Sequence, residues 1–209
     1  MFSGASANKS VTEAKSLIDQ IQAKMRRIAD EFAAGDINRE QFYSIYEHYQ
    51  MQLNLASAML EEVEAGGLPN ASSMETIALR KKLTGIAQAA AVYLYNDPQP
   101  LETLGEYILN PESVLPAIRV MFAALEKGDS PDFQIRQMPT AWALIVPGRL
   151  SVVVMLFSHE PVVRQIAFVQ HMHRDFETAN EAALRSGDVK AAKLVFPFAS
   201  FVKKSVSRR

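Results

Sequence analysis

Residues Thr140 to Glu160, TAWALIVPGRLSVVVMLFSHE, constrain the fold more than any other stretch of the chain. Val152, Val153 and Val154 are β-branched, and Trp142, Ile145 and Phe157 also favour a pleated surface. Almost every position from Leu150 to Phe157 is apolar, so both faces of that strand must be covered, as in a central strand. The run is broken once, at Pro147-Gly148. Proline fixes φ and glycine accepts positive φ, so this pair suits the middle of a type II turn. That is not the favoured two-residue hairpin turn, which points to a longer connection. The stretch therefore predicts two antiparallel strands at the centre of a sheet. A buried helix hairpin fits the valine run and the Pro-Gly break less well.

Upstream, apolar positions recur at helical spacing. Ala14, Leu17, Ile18, Ile21, Met25, Ile28, Ala29 and Phe32 predict a helix over Ser10 to Ala33, stopped by Gly35. Asn38 and Gln41, three residues apart, form a capping box, with Ile37 and Phe42 as a hydrophobic staple. The helix they start runs from Arg39 to about Glu64, with Phe42, Ile45, Tyr46, Tyr49, Leu53, Ala56, Leu60 and Val63 on one face. The short connection makes the pair an antiparallel hairpin. Such a hairpin buries one seam, so its remaining apolar surface must meet the sheet domain, a second copy or another partner.

The segment GGLPNASS, from Gly66 to Ser73, reads as a linker. Ser72 and Glu75 then suit a short helix to about Thr84. Ile86 to Tyr95 predicts a strand, Asn96-Asp97-Pro98 a turn, and Leu101 to Leu109 either a strand or a helix. A helix follows from Pro111 to Glu126, then a short edge strand from Phe133 to Met138. After the central strands, Pro161 opens one long helix to about Arg185, with Ile166, Val169, Met172, His173, Phe176 and Ala183 inward. The expected organisation is a disordered N-terminus (1–8), a helical hairpin (9–66), a sheet domain (73–187) and a basic-aromatic tail (188–209). The fold class is α+β: an antiparallel helical hairpin followed by a central antiparallel sheet flanked by helices.

Composition narrows the function. A net charge of −1 over 209 residues argues against a general nucleic-acid binder. The absence of cysteine excludes disulfides, thiol catalysis, thiolate metal sites and cofactors attached through sulfur. The N-terminus has no basic start followed by an apolar core, and the apolar runs are too short to span a bilayer. A cytoplasmic protein with no integral membrane segment is expected.

The order from Ser73 to Arg185 resembles a GAF domain, a sensory module with a central antiparallel sheet. LTGIAQAAAVYLYND resembles its first strand with the helix before it. Thr140 to Glu160 resembles its last two strands, and Pro161 to Ala182 its closing helix. Residues 96 to 132, where such a domain places much of its pocket, match poorly. The signature of cyclic-nucleotide-binding members is not evident, and there is no cysteine for a bilin. A roadblock or longin module is similar in its layered sheet and helices, although it begins with a strand hairpin that the sequence does not make clear. The resemblance implies a regulatory role.

No catalytic constellation stands out. His171 and His173 are two apart on a helix and point in different directions, so they make no helical metal pair. His173 reads as a hydrogen-bonded core residue, His171 as solvated and His159 as a loop residue. Adjacent Ser158, His159 and Glu160 present no nucleophile, base and orienter in one geometry. Arg119, Arg136 and Trp142 are the ligand-site candidates: the two arginines would suit an anion if they face the cleft between helix and sheet, and the preferred reading is that both are surface arginines and Trp142 is core. Phe42, Tyr46 and Tyr49, with Phe196, Phe198 and Phe201 in the tail, are the candidates for partner or dimer contact. After Asp188 the chain carries six basic residues and no acidic one, interleaved with these phenylalanines. Peripheral contact with an anionic membrane is one role for such a segment, and docking on protein is the preferred one, because Pro197 interrupts any amphipathic helix. The functional expectation is a non-enzymatic regulatory or assembly protein acting through homodimerisation and protein–protein contacts, without metal or cofactor. The alternatives are a sensor of small anionic molecules and a roadblock/longin-like regulator of a small GTPase.

Overall fold

The computed structural model describes residues 3–64, 84–106, 109–190 and 193–206. The chain divides into two compact units, Met1–Leu83 and Thr84–Arg209. The first is the helical hairpin, α1 (Ser3–Ala34) and α2 (Arg39–Glu64). Helix α1 begins at Ser3, ahead of the expected Ser10. It closes at Gly35, whose φ of 81° is the left-handed value a helix C-terminus uses. The capping box forms as read: the Gln41 N–H donates to Asn38 Oδ1 and the Asn38 N–H to Gln41 Oε1, each at 2.9 Å. Ile21, Met25, Ile28 and Ala29 of α1 and Phe42, Tyr46, Leu53 and Ala56 of α2 are buried. The expected short helix from Ser72 falls outside the described residues.

The second unit holds a five-stranded antiparallel sheet in the order β2-β1-β5-β4-β3. The strands are β1 (Ala87–Leu94), β2 (Pro100–Gly105), β3 (Gln134–Gln137), β4 (Trp142–Pro147) and β5 (Ser151–Phe157). The valine-rich β5 is central and buried along its whole length, as its unbroken apolar sequence requires. The segment that sequence left open between strand and helix is β2, paired with β1 in a hairpin.

One face of the sheet carries α3 (Leu115–Glu126), preceded by a 3-10 turn at Pro111–Ser113. The other carries α4 (Val163–Ala179) and α6 (Phe198–Val206), with the short α5 (Glu181–Ser186) between them in sequence. Val114, Leu115, Ala117, Ile118 and Met121 meet Ala143, Ile145, Val152, Val154 and Leu156 on the α3 side. Leu144, Val146, Val153, Met155 and Phe157 meet Ile166, Val169, Met172 and Phe176 on the α4 side. A bulge at Gln88 shifts the register of β1, so Ala87 and Ala90 share one face while Ala89 and Ala91 share the other.

Two expectations are corrected here. The hairpin turn is not centred on Pro147-Gly148. Pro147 still pairs with Val152, and the Gly148 N–H donates to the Ser151 carbonyl at 2.9 Å, so Arg149 and Leu150 form a two-residue tip. Gly148 has no positive φ. The final helix is also not continuous to Arg185: it breaks at Asn180, at φ −114° and ψ 12°, and only α5 continues to Gly187.

The tail belongs to the sheet domain. Leu194, Val195, Phe196, Phe198 and Val202 are buried, and Phe201 meets Phe168 edge-on at 5.1 Å between ring centres. The expected docking of this segment on protein is seen, and the protein is the chain itself.

Candidate functional site

The most concentrated polar chemistry lies under the β4–β5 tip. Helix α4 presents a stripe of inward positions, Ile166, Val169, Met172, His173 and Phe176, and its C-terminal end carries Glu177 one turn after His173. Strand β5 opens with Ser151 on the same face of the sheet as Val153, which packs on α4. Ser151, His173 and Glu177 are all buried.

The Glu177 carboxylate is fully engaged. The Arg149 N–H donates to Oε2, and the N–H groups of Leu150 and Ser151 donate to Oε1, all at 2.9 Å. Successive backbone N–H groups at a tight turn form an anion-holding concavity, and here it holds a carboxylate of the same chain. The Ser151 hydroxyl donates to Oε1 at 2.9 Å. The hydroxyl has one proton, so His173 Nε2, 2.9 Å from Ser151 Oγ, must be the donor to it. That assigns the Nε2–H tautomer. Burial pushes the His173 pKa below its ordinary value, and the nearby Glu177 charge opposes this without reversing it. The ring is therefore neutral, and its 3.8 Å approach to Glu177 is not an ion pair.

From the other side the Tyr95 hydroxyl donates to the Gly148 carbonyl at 2.7 Å. Burial, then the Glu177 charge, raise the Tyr95 pKa far above its usual range. Gly148 is thus held at its carbonyl by Tyr95 and pressed at its Cα by Glu177, where a Cβ would collide with the carboxylate.

Chemically this arrangement clamps rather than reacts. A serine nucleophile needs its proton accepted by the imidazole. Here the imidazole donates to serine and the serine proton is spent on Glu177. Sequence reading placed His173 correctly as a hydrogen-bonded core residue. It missed Ser151, Glu177 and Tyr95. The available signal was a carboxylate four residues after His173 on an otherwise apolar stripe.

A second clamp fastens the tail. Asn180 Oδ1 accepts the Val195 N–H at 3.0 Å, and its Nδ2 donates to the carbonyls of Val195 and Phe176, each at 2.8 Å. The asparagine that interrupts α4 is the residue that pairs with the returning chain.

The ligand candidates from sequence do not converge. Arg119 is exposed on the outer side of α3. Arg136 pairs across from Ala143 on the α3 face of the edge strand and donates to Gln134 Oε1 at 3.0 Å. Trp142 packs on the opposite, α4 face. The space between α3 and the sheet is occupied by the apolar side chains named above. Among the partner candidates, Phe42 and Tyr46 are buried and stacked at 5.2 Å between ring centres, and Phe42 also meets Phe32 at 5.4 Å. Tyr49 is half-buried beside Lys24, whose Nζ lies 5.6 Å from its ring centre. Phe196 and Phe198 lie in the chain's own core around Phe176. His159 is exposed beside Ser158, and His171 is half-buried with Nδ1 2.9 Å from Arg174 Nη2. Among the described residues no group of His, Asp and Glu could hold a metal ion, and no helix is long and apolar enough to cross a membrane.

The fold and site define an α+β protein with a helical hairpin and an internally clamped sheet domain. No protein-family model matches the chain, and no curated protein matches it. Among solved structures it is similar to MglB of Myxococcus xanthus, at 13% identity and a TM-score of 0.34, over 49% of this chain and 79% of that one. A likeness that weak carries neither fold nor function across.

Proposed function

We propose that this is a non-enzymatic regulatory or assembly protein that acts through protein–protein contacts and homodimerisation. The observation that carries the reading is a line of exposed large apolar side chains on α2: Met51, Leu55 and Met59, at 52%, 65% and 54% exposure. Exposed apolar residues aligned on one helix face mark a contact surface more than scattered ones do. The polar cluster of the sheet domain supports the non-enzymatic part, because its donors and acceptors satisfy one another. Sedimentation velocity from low to high micromolar concentration tests the reading: a concentration-dependent dimer is expected, and a strict monomer throughout counts against it.

A roadblock/longin-like regulator of a small GTPase is a second form of the same proposal. The observation favouring it is the β1–β2 hairpin that opens the sheet domain. Binding that depends on whether a purified small GTPase carries GDP or GTP would support it. The GAF-like sensor has less support, because the α3 layer is filled. A rise in melting temperature with nucleotides or organic anions would restore it.

A further inference from the structure

The break between α4 and α5 has no local cause. Ala179, Glu181, Ala182, Ala183, Leu184 and Arg185 favour helix, and neither glycine nor proline follows Asn180 before Gly187. The break is also shallow. The Asn180 N–H still donates to the Phe176 carbonyl at 3.1 Å, and the Asn180 carbonyl still accepts the Leu184 N–H at 3.0 Å, both at helical spacing. Its φ of −114° and ψ of 12° each lie about 50° from helical values. The tail holds the residue there, because the Asn180 amide pairs with both the N–H and the carbonyl of Val195.

The segment that leaves Val195 is built as a strap. Phe196 and Phe198 pack around Phe176, and Phe201 meets Phe168. Val202 lies so close over Gly105 at the end of β2 that a Cβ there would collide with it. The strap adds no strand to the sheet, so it can leave with all five strands still paired. The chain that leads to it is exposed at Gly187, Asp188, Lys190 and Lys193. The ion pair across this connection, Lys193 to Asp188 at 2.8 Å, lies at the surface, where such pairs contribute little.

We infer that Leu194–Val206 is a detachable strap and that Asn180 is the hinge it holds. With the strap docked, the helix is broken at Asn180. With the strap released, the helix runs unbroken from Val163 to Ser186. Opening bares Leu101, Leu104 and Phe168, an apolar face that the docked strap keeps from other proteins. The device is thus an autoinhibitory contact with two discrete arrangements of one helix. It stands independently of the dimeric reading above.

The first N–H groups of a helix have no acceptor within it, so those of Glu181, Ala182 and Ala183 report the hinge. In a continuous helix they donate to the carbonyls of Glu177, Thr178 and Ala179. Native-state amide exchange on the whole chain reads both ends of the device, with β4 and β5 as the internal control for folding. In wild type at low urea, the strap amides should exchange through an opening that is less costly and less urea-dependent than that of β5. Asn180→Ala removes the pairing with Val195 and favours helix. Strap protection should fall by about tenfold or more, while the amides of Glu181, Ala182 and Ala183 gain protection. Asn180→Gly removes the same pairing but disfavours helix, so strap protection should fall without that gain.

A local strap opening in wild type, with opposite changes at strap and hinge in Asn180→Ala alone, supports the inference. Strap amides that exchange in wild type only together with β5 overturn the strap, whether or not the variants fold. Unchanged strap protection in both variants overturns the coupling. Unchanged or lower protection at Glu181, Ala182 and Ala183 in Asn180→Ala makes Asn180 a fastener alone and overturns the hinge.

Discussion

Glu177 accepts both the backbone N–H and the hydroxyl of Ser151, each at 2.9 Å, so one carboxylate oxygen fixes the first residue of the central strand twice. With Arg149 and Leu150 donating as well, a helix side chain sets the shape of a hairpin tip. The clamp makes the tip a point where local changes have large costs.

Replacing Glu177 with alanine leaves the N–H groups of Arg149, Leu150 and Ser151 without their acceptor. Hydrogen bonds to a charged group contribute more than neutral ones, and unsatisfied buried donors carry their own penalty. The expected loss is about 2 to 4 kcal/mol, read by urea denaturation. A loss below about 0.5 kcal/mol, the range of an ordinary surface change, would show that the clamp does not hold the tip.

Gly148 is needed for close approach, not for an unusual φ. Gly148→Ala should destabilise by about 1 to 3 kcal/mol through overpacking against the Glu177 carboxylate. In a double-mutant cycle with Glu177→Ala much of that cost should disappear, because the colliding group has gone. Strict additivity of the two changes would place the cost of the alanine elsewhere.

The His173 pKa is lowered in the folded protein, chiefly by burial. The sign follows from proton binding. Above the ordinary value of 6.5 the ring is neutral folded and unfolded, and its contribution is fully present. As pH falls below that value the unfolded chain takes up a proton that the folded one resists, so stability is lost toward the lower folded pKa. The stability difference between wild type and His173→Gln should be flat from pH 8 to 7 and then shrink, at up to about 1.4 kcal/mol per pH unit. A difference that stays constant down to pH 5 would contradict this.

The tail should behave as part of the core. Deleting Leu194 to Arg209 removes Leu194, Phe196, Phe198 and Val202 from the α4 side of the sheet. At about 1.5 to 3 kcal/mol for each large apolar group, the melting temperature should fall by about 10 °C or more. Asn180→Asp keeps the size of the clamp but turns a donor into an acceptor facing the Val195 and Phe176 carbonyls. It should lower the melting temperature and speed proteolysis after Val189. If truncation leaves melting unchanged, the tail is not a structural clamp.

Local chemistry was legible in the chain itself. The β-branched, unbroken apolar run predicted β5 as the central strand because both its faces had to be covered. Asn38 and Gln41 announced the start of α2 because a capping box uses only residues three apart. The helical stripe on α4 placed His173 inside. The α+β class followed from the order of such signals. Other features depended on partners distant in sequence. The tip moved from Pro147-Gly148 to Arg149 and Leu150 because a carboxylate 28 residues away accepts the N–H of Arg149. The last helix broke at Asn180 because its amide pairs with Val195, fifteen residues on. The phenylalanines of the tail read as a docking surface from sequence, and only packing shows that the surface they dock on is their own sheet. A periodic pattern states that a face is apolar. Which neighbour covers it, and where the chain bends to let that happen, is decided by contacts the tertiary structure alone brings together.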